Sequence, residues 1–267
     1  MPDYQVDINC DMGESFGAYR IGEDDAVLPS VTSANVACGF HGGDPRVIEH
    51  TIRAAREHGV GVGAHPGFPD LVGFGRRNLA VTPDEARTDV LYQIGAVYAF
   101  ARAAGIDLQH VKPHGQLNNL SVKDRTLAEA IVAGARAFDP GLIVMAYGGE
   151  LIRVAEEQGM PVAYEAFADR EYMPDGTLVS RQRPGAVIHD RDRIVSRAVS
   201  MAKEQQVTAI TGEAVPLRVD TLCVHGDTPG AAEIARALRA GLEAAGIAVR
   251  PVRDIVASRQ TAPSQAR

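Results

Sequence analysis

The chain has 267 residues, 45% of them hydrophobic, which suits one large domain or two small ones with a sizeable core. A formal net charge of −7 argues against a general nucleic-acid binder, which would carry a basic face. Three cysteines with no CxxC pair argue against a disulfide framework or a zinc knuckle, and free thiols fit a reducing, cytoplasmic setting.

The opening segment, "MPDYQVDINCDMGES", carries acids where a signal peptide needs a basic and then an apolar region. No apolar run approaches the ~20 residues of a membrane span, so no membrane partner is expected. Short apolar runs then alternate with helical patterns. Candidate strands are 5–10, 31–38, 60–65, 109–114, 142–147, 161–167 and 220–225. Candidate helices are 46–58, 83–104, 123–137, 149–158, 191–205 and 229–245. Thr82 before Pro83 makes an N-cap, and Gly105 closes that long helix. The segment 257–267, "ASRQTAPSQAR" from Ala257, is small and polar and is expected to be a disordered tail. No linker or repeat divides residues 1–256, which are expected to form a single domain.

Strand alternating with helix reads as a parallel α/β fold. Polar residues follow six of the seven strands: Asp11 and Glu14, His41 and Asp44, His65 and Asp70, Lys112 and His114, Glu165 with Asp169 and Arg170, and His225 with Asp227. An open sheet gathers its site at one switch point, whereas a barrel builds it from many strand ends. The expectation is an irregular parallel (β/α) barrel of about seven strands. Alternation puts Asp7, Asn9 and Asp11 on one face of the first strand and Val6, Ile8 and Cys10 on the other. Lys112 and His114 share a face, and so do Cys223, His225 and Asp227. Glycines 59, 61 and 63 leave room for something bulky inside.

Each motif has a plain structural reading beside a chemical one. "GESFG" (13–17) matches a nucleophile elbow, but no clean helix follows Ser15, which disfavours a serine hydrolase. Asp44 before Pro45 is an N-cap by default. No Gly-Lys-Ser/Thr occurs, so direct nucleotide binding through a P-loop is disfavoured. Arg76 and Arg77 suit carboxylate or phosphate capture, Arg76 more than Arg77. "KPHG" (112–115) offers a cation and an imidazole able to polarise a carbonyl and move a proton. Asp227 and Thr228 cap the last helix, leaving His225 as the functional candidate there. His41, His65, His114 and His225 with Asp11 could form a divalent metal site, yet no HExxH supports it, and metal-bound and metal-free readings both stand. The cysteines read as buried core thiols.

These stretches, "DINCDMGESFG", "SANVACGFHGGDP", "GAHPGFPDLVGFGRR", "HVKPHG", "EAFADR" and "CVHGD", resemble in order the LamB/YcsF family, over nearly the whole chain. The resemblance implies a barrel related to the glycoside hydrolase and deacetylase barrels. It implies ATP-dependent hydrolysis of the lactam of 5-oxoproline to L-glutamate, with 5-oxoprolinase subunits B and C as partners and ATP handled with them. A divalent metal such as magnesium is a further expectation. Asp11, Lys112, His114 and Glu165 are assigned to catalysis. Glu14, His41, Asp44, His65, Arg76, Asp169, Arg170 and His225 are assigned to substrate binding. The chain departs from the family pattern at Gln116 and Asn118, where Ala and Tyr are usual, which bears on the lactam accepted. Two other classes stay open: a stand-alone metal-dependent deacetylase or carbohydrate hydrolase on the same barrel, and a non-catalytic binding subunit.

Overall fold

Seven parallel strands close into a barrel in the computed structural model, which describes residues 4–180, 183–226 and 230–261. The chain enters through β1 (Tyr4–Met12), then α1 (Asp24–Val27), β2 (Ser33–Ala37), α2 (Pro45–Glu57), β3 (Gly61–His65) and α3 (Pro83–Ala103). It continues through β4 (His110–Val111), α4 (Gly115–Ser121), α5 (Arg125–Phe138), β5 (Ile143–Ala146), α6 (Gly149–Glu157) and β6 (Val162–Ala166). After α7 (Arg191–Glu204) come β7 (Gln206–Thr208), β8 (Ala214–Pro216), β9 (Thr221–Val224), α8 (Ala231–Ala244), β10 (Ile247–Val249) and α9 (Val252–Thr261). The barrel order is β1-β2-β3-β4-β5-β6-β9, and β9 returns to β1 with Asp7 opposite Thr221 and Cys10 opposite Val224. All seven strands expected from the sequence are the barrel strands.

Several short elements were not expected, α1 and α9 among them. β7 and β8 form a separate antiparallel pair, and β10 extends the outer end of β1, with Tyr4 opposite Ile247. α4 starts where a polar loop would be read, at Gly115, whose φ of +53° begins the turn out of the strand. Ala257 to Thr261, expected in the tail, continue α9, while 262–267 lie outside the described residues.

Side-chain charge and hydrogen bonding start the helices where the sequence places them. Asp44 caps α2 by accepting from the Arg46 and Val47 amides, with Pro45 in the first turn. Thr82 and Glu85 form a reciprocal capping box on α3. The proposed caps of α8, Asp227 and Thr228, fall outside the described residues.

Strand alternation then sorts the two faces. Val6, Ile8, Cys10 and Met12 of β1 are fully buried in the apolar layer shared with the helices, beside Val36, Ile52, Ile94 and Ile131. At about 25 cal/mol per Å² of apolar surface, this layer is the main stabilising term. Asp7, Asn9 and Asp11 point the other way, into the lumen. The bulky occupants facing the β3 glycines are the next strand's side chains. A Cβ on Gly61 would lie 2.5 Å from Gln109 Cδ, and one on Gly63 would collide with the His110 ring. Gly59, by contrast, serves a turn and faces open space.

Candidate functional site at the carboxyl ends of the barrel strands

The lumen holds a column of polar groups that pair across strands. Deepest is Asp7, fully buried, accepting from Thr32 Oγ1 at 2.7 Å, Ser33 Oγ at 2.6 Å and Thr221 Oγ1 at 2.5 Å. Burial outweighs these donors and pushes its carboxyl up to about 6. Above it, Asn35 Nδ2 donates to Asn9 Oδ1 and Asp11 Oδ1, both at 2.8 Å, and His110 Nε2 meets Asn35 Oδ1 at 2.6 Å. His110 belongs to the lumen by the same alternation that aligns Lys112 and His114, yet it was not among the expected site residues.

Lys112 sits at the centre. Its backbone N–H donates to Ala64 O, so the β3–β4 ladder runs one residue past the end of β4 and fixes the side chain inward. The ammonium lies 2.6 Å from Glu165 Oε1, 2.8 Å from Asp11 Oδ1, 3.2 Å from Asn9 Oδ1 and 3.3 Å from Cys223 Sγ. Burial alone would discharge Lys112, but Asp11, Cys223 and Glu165 together hold its pKa well above the usual value. Burial likewise works against Asp11, and His65 and Lys112 overcome it, keeping the carboxylate well below its usual range. Cys10 and Cys38 are buried thiols as expected; Cys223 is buried too, but touches the lysine rather than only apolar neighbours.

Three histidines stand over this pair. His65, at the end of β3, donates from Nδ1 to Lys112 O at 2.6 Å and places Nε2 3.3 Å from Asp11 Oδ2. His114 donates from Nε2 to Phe74 O at 2.8 Å and turns Nδ1 to His65 Nε2 at 3.0 Å. Phe74 holds a left-handed φ of +54°, which costs a residue with a side chain roughly 1–2 kcal/mol, and the turn delivers its carbonyl to His114. His41, after β2, stacks on His114 with ring centroids 3.6 Å apart. Burial, reinforced by the other two histidines, holds His41 well below the usual range, and burial, with His65 as its neighbour, brings His114 down to about 3. Glu14 Oε1 approaches His41 Nε2 at 3.4 Å and His114 Nδ1 at 3.5 Å. Glu14, His41, His65 and His114 form a buried group that could hold a metal ion. Close loop contact makes this possible: a Cβ on Gly42 would lie 2.9 Å from Glu14 O.

The loop carrying these groups is clamped by a residue the sequence did not announce. Gln93 of α3, fully buried, accepts from Gly67 N at 2.9 Å and donates to Gly67 O at 3.0 Å. A polar side chain on the inner stripe of an otherwise amphipathic helix was the available signal.

Asp11, His65, Lys112, His114, Glu165, Arg76, Arg170 and His225 line one cavity of about 240 Å³, joined by Tyr147, Phe167 and Asn118. Arg76 lies over the Phe74 ring at its rim, 4.8 Å from the centroid. Arg77 instead pairs with the buried Asp70. Asp169 accepts from His225 Nδ1 at 2.7 Å, and Arg170 donates to Val179 O at 2.7 Å. Asp44 is not brought to this cavity. It faces a separate open cleft of about 680 Å³ against α2, where it also accepts from Gly17 N. The charged groups of that larger cleft, among them Arg20, Glu23, Asp25, Arg46 and His50, are exposed, whereas His65, Lys112, His114 and Glu165 are buried and pair with one another, so the smaller cavity is the candidate site. Ser15 Oγ exchanges hydrogen bonds with the Ile21 backbone, and no helix follows it, so the nucleophile-elbow match is a turn. Gln116 and Asn118 both line the cavity, Gln116 half-buried and bonded to Asn78, Asn118 buried.

A model of the LamB/YcsF family matches residues 6–257. A Pyrococcus abyssi protein, named as the A subunit of 5-oxoprolinase, is 54% identical over 94% of this chain and 99% of its own. The crystal structure of a lactam utilization protein from Thermus thermophilus superposes with a TM-score of 0.89 at 50% identity, covering 92% of this chain and 99% of that one. A T48 deacetylase superposes with a TM-score of 0.52 at 13% identity, covering 96% and 92%, a likeness of fold alone. No helix among the described residues is long and apolar enough to cross a membrane.

Proposed function

The chain belongs to the LamB/YcsF family, and we propose that it is the lactam-opening subunit of an ATP-dependent 5-oxoprolinase, converting 5-oxoproline to L-glutamate. The name of its Pyrococcus relative supports the reaction class. That the relative is named as one subunit supports a larger assembly, which we take to include subunits B and C in the cytoplasm. The observation that carries the reading is Lys112 held between Asp11 and Glu165 at the floor of a small cavity with arginines beside it.

A planar lactam resists water at neutral pH, so its carbonyl needs activation. With no P-loop here, ATP acts with the partner subunits, by phosphorylating the lactam oxygen. Asp11 is kept ionised and lines the cavity, where it can accept a proton from water as the water oxygen bonds to the lactam carbon. The ring C–N bond then breaks to leave an acyl phosphate, the nitrogen taking back the proton that Asp11 received, and a second water releases phosphate and leaves the carboxylate. Lys112 already donates to several lumen groups. Its part is to fix the charge of Asp11 and Glu165 and to set a positive potential beneath the oxygen that gains charge. Arg76 and Arg170 suit the substrate carboxylate. Asn118, where relatives carry Tyr, gives this cavity an added amide.

The test is glutamate release from 5-oxoproline by this chain assembled with its B and C partners, with and without ATP. ATP-dependent release supports the reading, and a stable assembled complex that releases none overturns it. Hydrolysis of an acetylated sugar by the chain alone, without ATP, would favour the deacetylase class instead.

A further inference from the structure

Two backbone carbonyls decide how two of the histidines can be protonated. A carbonyl oxygen only accepts, so Lys112 O holds a proton on His65 Nδ1 and Phe74 O holds one on His114 Nε2. The remaining nitrogens, His65 Nε2 and His114 Nδ1, face each other at 3.0 Å with their rings perpendicular. On neutral rings both carry lone pairs, which repel at that distance. Something electron-poor must join them, either a proton or a metal ion.

The surroundings favour the ion. A proton shared by two nitrogens needs no third or fourth donor. Here Glu14 Oε1 stands 3.5 Å from His114 Nδ1, and Asp11 Oδ2 stands 3.3 Å from His65 Nε2. Ligands held ~2.0–2.1 Å from a tetrahedral ion lie about 3.4 Å from one another, and within the set the 3.5 Å from Glu14 Oε1 to His114 Nδ1 and the 3.0 Å between the two histidines fall close to that. His41 stands beside this set, fully buried, with Nε2 3.4 Å from Glu14 Oε1.

We infer that Glu14, His65 and His114 hold one divalent first-row transition ion, with His41 in reserve. His41 is stacked parallel on His114, within 3°. Two parallel rings cannot both direct a lone pair at one ion, so His41 coordinates only by leaving the stack. Imidazole-rich sets suit zinc, iron or nickel, and magnesium prefers oxygen ligands and water. The ion is therefore of the zinc type and not magnesium. The site is the one proposed for lactam opening, but the inference stands on ligand geometry and is read by metal binding, not turnover.

The experiment uses the full chain, stripped with chelator and titrated with Co²⁺ by visible absorption, then with Zn²⁺ and Mg²⁺ by calorimetry. One equivalent of Co²⁺ with the intense bands of four-coordination is expected, and Zn²⁺ binding at least ~1,000-fold tighter than Mg²⁺. His65→Ala and His114→Ala should each weaken Zn²⁺ by at least ~100-fold, and His41→Ala by less. A variant that fails to fold is bypassed by ¹⁵N-histidine NMR of the wild type. There, Zn²⁺ should shift His65 Nε2 and His114 Nδ1 and leave the carbonyl-bonded nitrogens protonated. No saturable binding, binding indifferent to both histidines, or a proton shared between them when Zn²⁺ is present overturns the inference. Metal binding without glutamate release would remove the proposed reaction and keep the site; release by a chain that binds no ion would do the reverse.

Discussion

The Lys112 ammonium lies 2.8 Å from Asp11 Oδ1 inside a lumen that leaves the lysine only 3% exposed, so each charge depends on the other. Lys112→Met removes the cation and leaves Asp11 and Glu165 buried without it. We expect a loss of about 3–5 kcal/mol in urea unfolding at pH 7. The wild-type Asp11 pKa is depressed, so its stabilisation is present above the unfolded value near 4 and is lost only as pH falls through the lower folded value. The variant should therefore lose less stability than the wild type on strong acidification.

Asp11→Asn keeps the size of the side chain and removes its ability to take a proton. Glutamate release by the assembled complex should fall by roughly 10²–10⁴ in kcat, with a smaller change in KM. A steady-state comparison of the two proteins checks this, and a variant with wild-type kcat would remove Asp11 from the reaction.

Asp7 gives a pH effect of opposite sign. Its folded pKa, about 6, lies above the unfolded value of 3.8. As pH rises between these values the unfolded chain loses its proton first, so stability falls, and the loss levels off above about pH 6. The gap corresponds to roughly 3 kcal/mol. Denaturant unfolding at pH 4 and pH 7 should show this decline in the wild type and a flatter profile in Asp7→Asn.

Gly63→Ala places a methyl where the His110 ring lies. The ring must move and its contact with Asn35 must open, at a cost of about 1–3 kcal/mol. A melting temperature unchanged from the wild type would show that the lumen can absorb the methyl.

Thr82→Ala breaks the capping box of α3 far from the cavity. Stability should drop by about 1 kcal/mol while kcat and KM hold, which separates a stability loss from a catalytic one.

The barrel was legible because its strands are short apolar runs between strongly capped helices, and because alternation alone sends Asp7, Asn9, Asp11, Lys112 and His114 inward. What escaped reading has a common physical reason. β10 and the β7–β8 pair are three-residue strands defined by their partners rather than by any periodicity. α4 follows Pro113 and begins at Gly115, residues that usually end structure, and the Gln116 N–H finds Gly75 O across the loop. Asp44 followed a strand like the other candidates, but its backbone enters α2 directly, and capping uses its carboxylate at the helix start. Cys223 looks like a core thiol by type and becomes a lysine contact only through the β6–β9–β1 closure.

That closure also orders events in time. Asn9 bonds Thr221 across 212 residues of chain, and Lys112 meets Cys223 across 111. A nascent chain carries Asp7, Asp11 and Lys112 long before β9 exists to seal them in. Pairings so remote in sequence make for slow folding, because loop entropy is lost before the contacts repay it. The charged lumen thus cannot be closed on all sides until Thr221–Val224, more than 200 residues after Asp7, have been made.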